Sequence, residues 1–177
     1  MMIKTIMAGF GGQGVLMMGY SLANAAMLEG YQVTYLPSYG AEVRGGTANC
    51  TVAISDEEIA SPVASAPDYL VTLNAPSLFT FQNRIVPGGG IFINSSIVRE
   101  NPIRKDIECF RVPAGEMAEQ LGEPRSVNVI MLGAFLKKMG LVSAETYMKS
   151  LKQIMGERRK AVMEINKKAF MAGQNLL

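Results

Sequence analysis

At 177 residues and 49% hydrophobic content, the chain is long enough to bury a sizeable core and stands at the upper end of a single-core size. A formal net charge of +2, from 17 basic and 15 acidic residues, gives no electrostatic case for nucleic acid. No run reaches the roughly 18 apolar residues needed to cross a bilayer, and the start "MMIKTIMAGFGGQG" has no cleavage signature, so a cytoplasmic protein without a membrane partner is expected.

The first predicted element is a buried strand over residues 2–8, "MIKTIMA", which turns through "GFGGQG" into a helix over 13–29 with Gly30 as its stop. "YQVTYL" reads as strand two, ended by Pro37. Strand three is expected over 47–54, where Ala48, Cys50, Val52 and Ile54 alternate with polar positions. The link between these strands is short and lacks a helical pattern, which points to an antiparallel strand three and a mixed sheet. After a turn-rich loop over 55–67, "DYLVTL" delivers Asn74 to the carboxyl end of strand four, followed by a short helix over 76–85. "PGGG" turns into a strand over 91–96, and another strand follows over 107–112. A short helix over 113–122 precedes three helical patterns over 126–140, 143–156 and 157–175. Ser143 reads as a helix start and Gly140, Gly156 and Gly173 as stops. With no repeat and no linker, residues 1–177 make one α/β domain with a helical C-terminal third.

Two absences narrow the chemistry. The chain has no histidine, the side chain that most often serves as general base near neutral pH and as metal ligand. Its two cysteines, Cys50 and Cys109, fall short of the four thiolates an iron–sulfur cluster usually takes, and both read as small buried hydrophobes on strands. No catalytic residue and no metal site is expected within this chain alone.

Gly9, Gly11 and Gly14 fit G-x-G-x-x-G between a strand and a helix, the setting of the dinucleotide fingerprint. The acidic residue that would hold the ribose is missing from the end of strand two, "TYLPS", and Val15–Leu16 excludes a phosphate loop of the Lys-Ser/Thr type. What remains is a helix N-terminus whose free N–H groups suit an anion or a partner's chain end, against a plain tight turn with no ligand. Arg44, set against Gly45 and Gly46, offers a planar fork for phosphate or carboxylate. If strand two runs beside strand one, that arginine lies at the same carboxyl edge as the glycine loop. Asn74 and Asn128 are candidates to reach that crevice or to serve as end-caps. Met17 and Met18, behind the loop, are candidates to face a partner.

The segments "GFGGQGV", "SYGAEVRGGTANC", "ISDEEIASPVASAPDYLVTLN", "GGGIFINSS", "NVIMLGAF" and "EINKKAF", in that order, resemble the gamma subunit of 2-oxoacid:ferredoxin oxidoreductases, equivalent to the gamma domain of the fused pyruvate enzymes. The resemblance implies a three-layer Rossmann-like fold with a mostly parallel sheet. It further implies a complex that oxidatively decarboxylates a 2-oxoacid to an acyl-CoA and sends electrons to ferredoxin. Alpha, beta and ferredoxin-like delta subunits would be the partners. Thiamine diphosphate, magnesium and iron–sulfur clusters would sit in those subunits, and coenzyme A would be contacted by this chain. Gly11, Gly12, Gln13, Gly14, Tyr39, Gly40, Glu42, Arg44, Gly45 and Gly46 match the family's motifs. Pyruvate, 2-oxoglutarate, a branched-chain or an aryl 2-oxoacid all remain open, with 2-oxoglutarate favoured by the look of the shorter gamma chains. The competing readings are a free-standing nucleotide- or coenzyme-binding regulatory module and a purely structural interaction subunit.

Overall fold

The computed structural model describes residues 1–39, 47–156 and 160–177. Six strands form one sheet: β1 (Met2–Phe10), β2 (Gln32–Tyr39), β3 (Thr47–Ser55), β4 (Tyr69–Thr72), β5 (Gly90–Asn94) and β6 (Glu108–Val112), in the order β2-β3-β1-β4-β5-β6. β1, β4, β5 and β6 are mutually parallel, while β3 pairs antiparallel with both β1 and β2. The short link before β3 therefore does what its length dictates, and the sheet is mixed. β3 inserts between β1 and β2, so strand two does not lie beside strand one as the crevice argument supposed. Because β3 is antiparallel to both, β1 and β2 still point the same way.

Alternation along the strands assigns the two faces. Met7, Val52, Val71 and Phe92 face one side, where α1 (Val15–Leu28), α4 (Val127–Met139), α5 (Ala144–Met155) and α6 (Lys160–Gln174) build the larger core with α3 (Ala114–Gln120) at its flank. Ile6, Leu70, Ile91 and Ile93 face the other side, covered by Leu78 of α2 (Ala75–Phe81), Ile85, Ala64 and Val98. Three layers and a helical C-terminal third follow as expected. The aromatic centre is Phe92, stacked on Phe110 at 4.6 Å and edge-on to Phe135 at 5.3 Å.

Four local expectations change. Strand two does not stop at Pro37 but runs on to Tyr39 with Pro37 opposite Cys50, because an outermost strand tolerates a residue without an N–H. Gly173 is no stop; it lies inside α6, where a Cβ would overlap the carbonyl oxygen of Ile130, and Gly133 of α4 meets the Phe170 carbonyl in the same manner. This glycine pair lets α4 and α6 cross in near contact, and the Gln174 amide donates to the Gly133 carbonyl at 3.1 Å. Cys109 is exposed rather than buried, since β6 is the opposite sheet edge. The segment 95–96 leaves the ladder after Asn94. Among the described residues no helix is long and apolar enough to cross a membrane.

Candidate functional site

β1 and β4 are adjacent and parallel, yet the helices that follow them leave on opposite faces, α1 into the larger core and α2 into the smaller. Open α/β sheets bind ligands outside the carboxyl ends of their strands at such a switch point. The loop between β1 and α1 sits there. Gly12 (φ 93°) and Gly14 (φ 78°) take left-handed conformations that an L side chain rarely adopts, and so turn the chain from strand into helix within four residues. Gly14 is the N-cap of α1 and offers no side-chain acceptor, so the first-turn N–H groups of a 14-residue helix have no side-chain cap.

Gln13 lines the cavity outside the loop and also ties two strand ends together. Its Oε1 accepts the Phe10 N–H at 2.6 Å and its Nε2 donates to the Leu73 carbonyl at 3.3 Å, so one amide ties the end of β1 to the end of β4 and closes the crevice between them from within. Gly9 is required by the same arrangement, because a Cβ there would crowd Gln13, Val15 and Leu73. The space left for a ligand lies on the outer side of the loop. It is a cavity of about 400 Å³ lined by Gly12, Gln13, Gly14, Ile97, Pro124, Arg125 and Val127.

Asn128, in the first turn of α4, does reach the loop: its Nδ2 donates to the Gly14 carbonyl at 3.4 Å, and the amide occupies the place a Cβ on Gly14 would need. It thereby holds the N-terminus of α4 against that of α1. Asn74 instead caps α2, with Oδ1 accepting the Ser77 N–H at 2.8 Å. It is buried, and its Nδ2 has no partner among the described residues; Asn94, at the end of the neighbouring β5, is in the same condition. Gly40, Glu42, Arg44, Gly45 and Gly46 lie outside the described residues, but both ends of their connection are placed. Tyr39 pairs with Ala48 and Thr47 with Phe10, so the connection leaves and rejoins the sheet at the edge where β1 delivers the glycine loop. Of the two methionines behind the loop, Met17 is exposed and Met18 buried.

Arg125 was not singled out by the sequence reading. It lines this cavity and a neighbouring one of about 490 Å³ between α4, α5 and α6, and among the described residues its guanidinium has no hydrogen-bond or ion-pair partner. A signal was available: a cation at a helix N-terminus opposes the helix dipole. An arginine immediately before the helix start at Ser126 is therefore placed for something other than helix stability. Together the uncapped start of α1 and the Arg125 fork can receive an anionic group with charge-assisted bonds.

Comparison with known proteins connects this geometry to a family. The family model described as pyruvate ferredoxin/flavodoxin oxidoreductase matches residues 4–176. The chain belongs to that family. It is 38% identical over 173 residues to the ketoisovalerate oxidoreductase subunit VorA of Methanothermobacter thermautotrophicus, an alignment that covers 97% of this chain and 35% of VorA. It is 36% identical over 179 residues to the 2-oxoglutarate synthase subunit KorC of Methanothermobacter marburgensis, covering 96% of this chain and 94% of KorC. The crystal structure of the keto/oxoacid ferredoxin oxidoreductase gamma subunit from Geobacter sulfurreducens matches with a TM-score of 0.83 at 27% identity, covering 98% of this chain and 96% of that one. The domain thus spans about a third of VorA and nearly the whole of the shorter relatives, and the gamma-type resemblance carried by the motifs is borne out.

The donor set does not suit an iron–sulfur cluster. Cys50 is buried in β3 and Cys109 lies on the opposite edge strand, and among the described residues no group of three His, Cys, Asp or Glu side chains is arranged to hold a metal.

Proposed function

We propose that this chain is the gamma-type subunit of a 2-oxoacid:ferredoxin oxidoreductase. In that complex the 2-oxoacid is oxidatively decarboxylated to an acyl-CoA on partner alpha, beta and delta chains, which hold thiamine diphosphate, magnesium and the iron–sulfur clusters. This chain binds and closes: it covers the active site and receives an anionic part of coenzyme A at the cavity outside the glycine loop. The observation that supports the reading is the convergence, at the β1/β4 switch point, of the uncapped α1 N-terminus with Arg125, whose guanidinium has no partner among the described residues. Arg44 is assigned to the same anion by its motif, from a connection whose two ends stand at this edge. Carbanion chemistry and electron transfer belong to the cofactors, so a chain without histidine or cluster ligands contributes position and charge rather than reacting atoms.

Steady-state kinetics of the reconstituted complex test the site. Arg125→Ala is expected to raise the KM for coenzyme A roughly ten- to a hundredfold, the equivalent of a charge-assisted hydrogen bond of about 1.5–3 kcal/mol. The KM for the 2-oxoacid should stay unchanged, and Arg125→Lys should restore only part of the loss, because lysine lacks the planar fork. Unchanged kinetics in both Arg125→Ala and Arg44→Ala would remove coenzyme A from this cavity and favour the purely structural role.

A further inference from the structure

We propose that the outer face of α1 and the open edge of β2 form one docking surface, and that its occupant is the part of the complex corresponding to the remainder of VorA. The proposal rests on reading the chain as one subunit of a larger oxidoreductase.

Its first support is charge. Residues 5–28 and 30–41 contain no charged side chain, and the single interruption, Glu29, has its carboxylate engaged by the Ser143 N–H at 2.9 Å. A helix on the outside of a globule ordinarily turns a charged face to water. α1 instead presents Tyr20 and Met27, 48% and 61% exposed and seven residues apart on one face, while Met17 and Leu28, also exposed, flank the line along which Asn24 meets α5. Tyr20 stands edge-on to Tyr35 of β2 at 6.0 Å, so this face runs from the helix onto the strand.

The second support is the strand itself. Among the described residues β2 has no neighbour on its outer side, and it is eight residues long, with Pro37 as its one edge-protecting residue. Sheet edges left in solvent are normally short, charged or covered. The opposite edge obeys that rule: β6 is five residues long and carries Glu108 and Arg111, with Glu108 paired to Lys138 at 2.9 Å. Among the described residues one edge is guarded and the other bare, the pattern expected where the bare edge is covered in the assembled protein.

The relatives indicate what covers it. In VorA this domain is about a third of a longer chain, whereas KorC consists of little else. Covalent linkage raises the effective concentration of two domains and permits a weak contact. Where the two parts are not linked, as KorC implies, the same contact must be held by area alone, on the order of 800 Å² per partner in a standard interface. The surface has no lysine or arginine to attract an anionic lipid headgroup, which sets a membrane aside.

The test uses the tagged chain and its native complex. Hydrogen–deuterium exchange over residues 15–39 should slow roughly tenfold or more in the complex relative to the chain alone. Met27→Glu should weaken complex formation at least about tenfold. Lys149→Glu, a charge reversal on the exposed side of the neighbouring α5, should leave it within about twofold, and both variants should melt like the parent. A complex that forms with protection elsewhere, and with Met27→Glu binding like the parent, overturns the surface while leaving the subunit reading intact. Protection of 15–39 by self-association in the pure chain would make the occupant a second copy and overturn the proposal. Failure of any second polypeptide to accompany the chain would overturn both.

Discussion

α1 and α5 lie side by side on the same face of the sheet and are built by opposite rules. α5 has a buried side of Tyr147, Ser150 and Leu151 and an exposed side of Glu145, Lys149 and Lys152, the amphipathic division expected of a helix between core and water. α1 buries Val15, Met18, Leu22 and Ala25 just as completely, yet its other side is apolar as well. The two are stitched together, with Asn24 Nδ2 donating to Ser150 Oγ at 2.8 Å and Ser150 Oγ donating to the Ser21 carbonyl at 3.3 Å. α1 is also the more deeply set of the two, with eight buried residues against three in α5, so the neighbours differ both in how much they bury and in what they show outward. The inner faces make the fold; the outer face of α1 is the part assigned above to docking.

Both inner faces should matter for stability, and the largest single effect belongs to the bulkiest buried side chain, on α5. Tyr147 is fully buried and stacks on Phe170 at 4.4 Å, so Tyr147→Ala should cost about 3–5 kcal/mol in urea denaturation of the isolated chain. A loss below about 1 kcal/mol would mean that α5 is merely laid on the domain. On α1 the matching change is Gly19→Val. A Cβ at Gly19 would overlap Cys50 Sγ of β3, so the branched side chain should cost about 1–3 kcal/mol by forcing the helix off the sheet. The same close approach buries the Cys50 thiol and pushes its pKa up to about 12, with its S–H directed at the Val15 carbonyl. Iodoacetamide at pH 8 should therefore modify the exposed Cys109 and spare Cys50 until the chain is unfolded. Equal labelling of both in the native protein would contradict the close packing of α1.

The smallest effect concerns the one charge at the junction of the two helices. Glu29, which follows α1, accepts the backbone N–H of Ser143 at the start of α5, and this bond, with the nearby Thr146 and Ser143 hydroxyls, holds its carboxyl below the ordinary value of 4.5. A folded-state pKa below the unfolded one stabilises the fold fully above pH 4.5 and loses that contribution as pH falls through the lowered value. The group is solvent-exposed, so Glu29→Gln should cost under about 1 kcal/mol at pH 7, and the difference should shrink as the pH falls below 4.5 through the lowered value. A pH-independent difference between parent and variant would show that the bond, not the charge, is what matters.

Much of this architecture was legible because it depends on local signals. The run from β1 through Gly14 into α1 follows from alternation, glycine placement and helical spacing, and the antiparallel β3 follows from the length of chain available before it. What escaped depended on distant contacts. Pro37 ends a strand in any local reading; only the outermost position of β2 lets the strand continue. Gly173 looks like a stop until α4 crosses over it. Gln13 matched a ligand motif by position, while its two bonds, to Phe10 and Leu73, depend on β4 lying beside β1. Asn74 and Asn128 were equivalent in sequence, and the packing of α4 against the glycine loop separated a cap from a residue at the cavity's edge. Arg125 conflicts with the helix dipole in sequence alone, but its place beside the glycine loop follows only from the packing of α4 against α1.

The central claim is that the chain works only as a subunit, supplying a closing surface and an anion site to chemistry housed in other chains. The direct measurement is anoxic purification of the tagged native chain, followed by an assay of 2-oxoacid- and coenzyme A-dependent reduction of a low-potential acceptor. The same assay is run on the isolated chain with thiamine diphosphate and magnesium supplied. The account predicts turnover by the complex and none by the isolated chain. Turnover by the isolated chain, or a complete complex inert towards every 2-oxoacid tested, would contradict it.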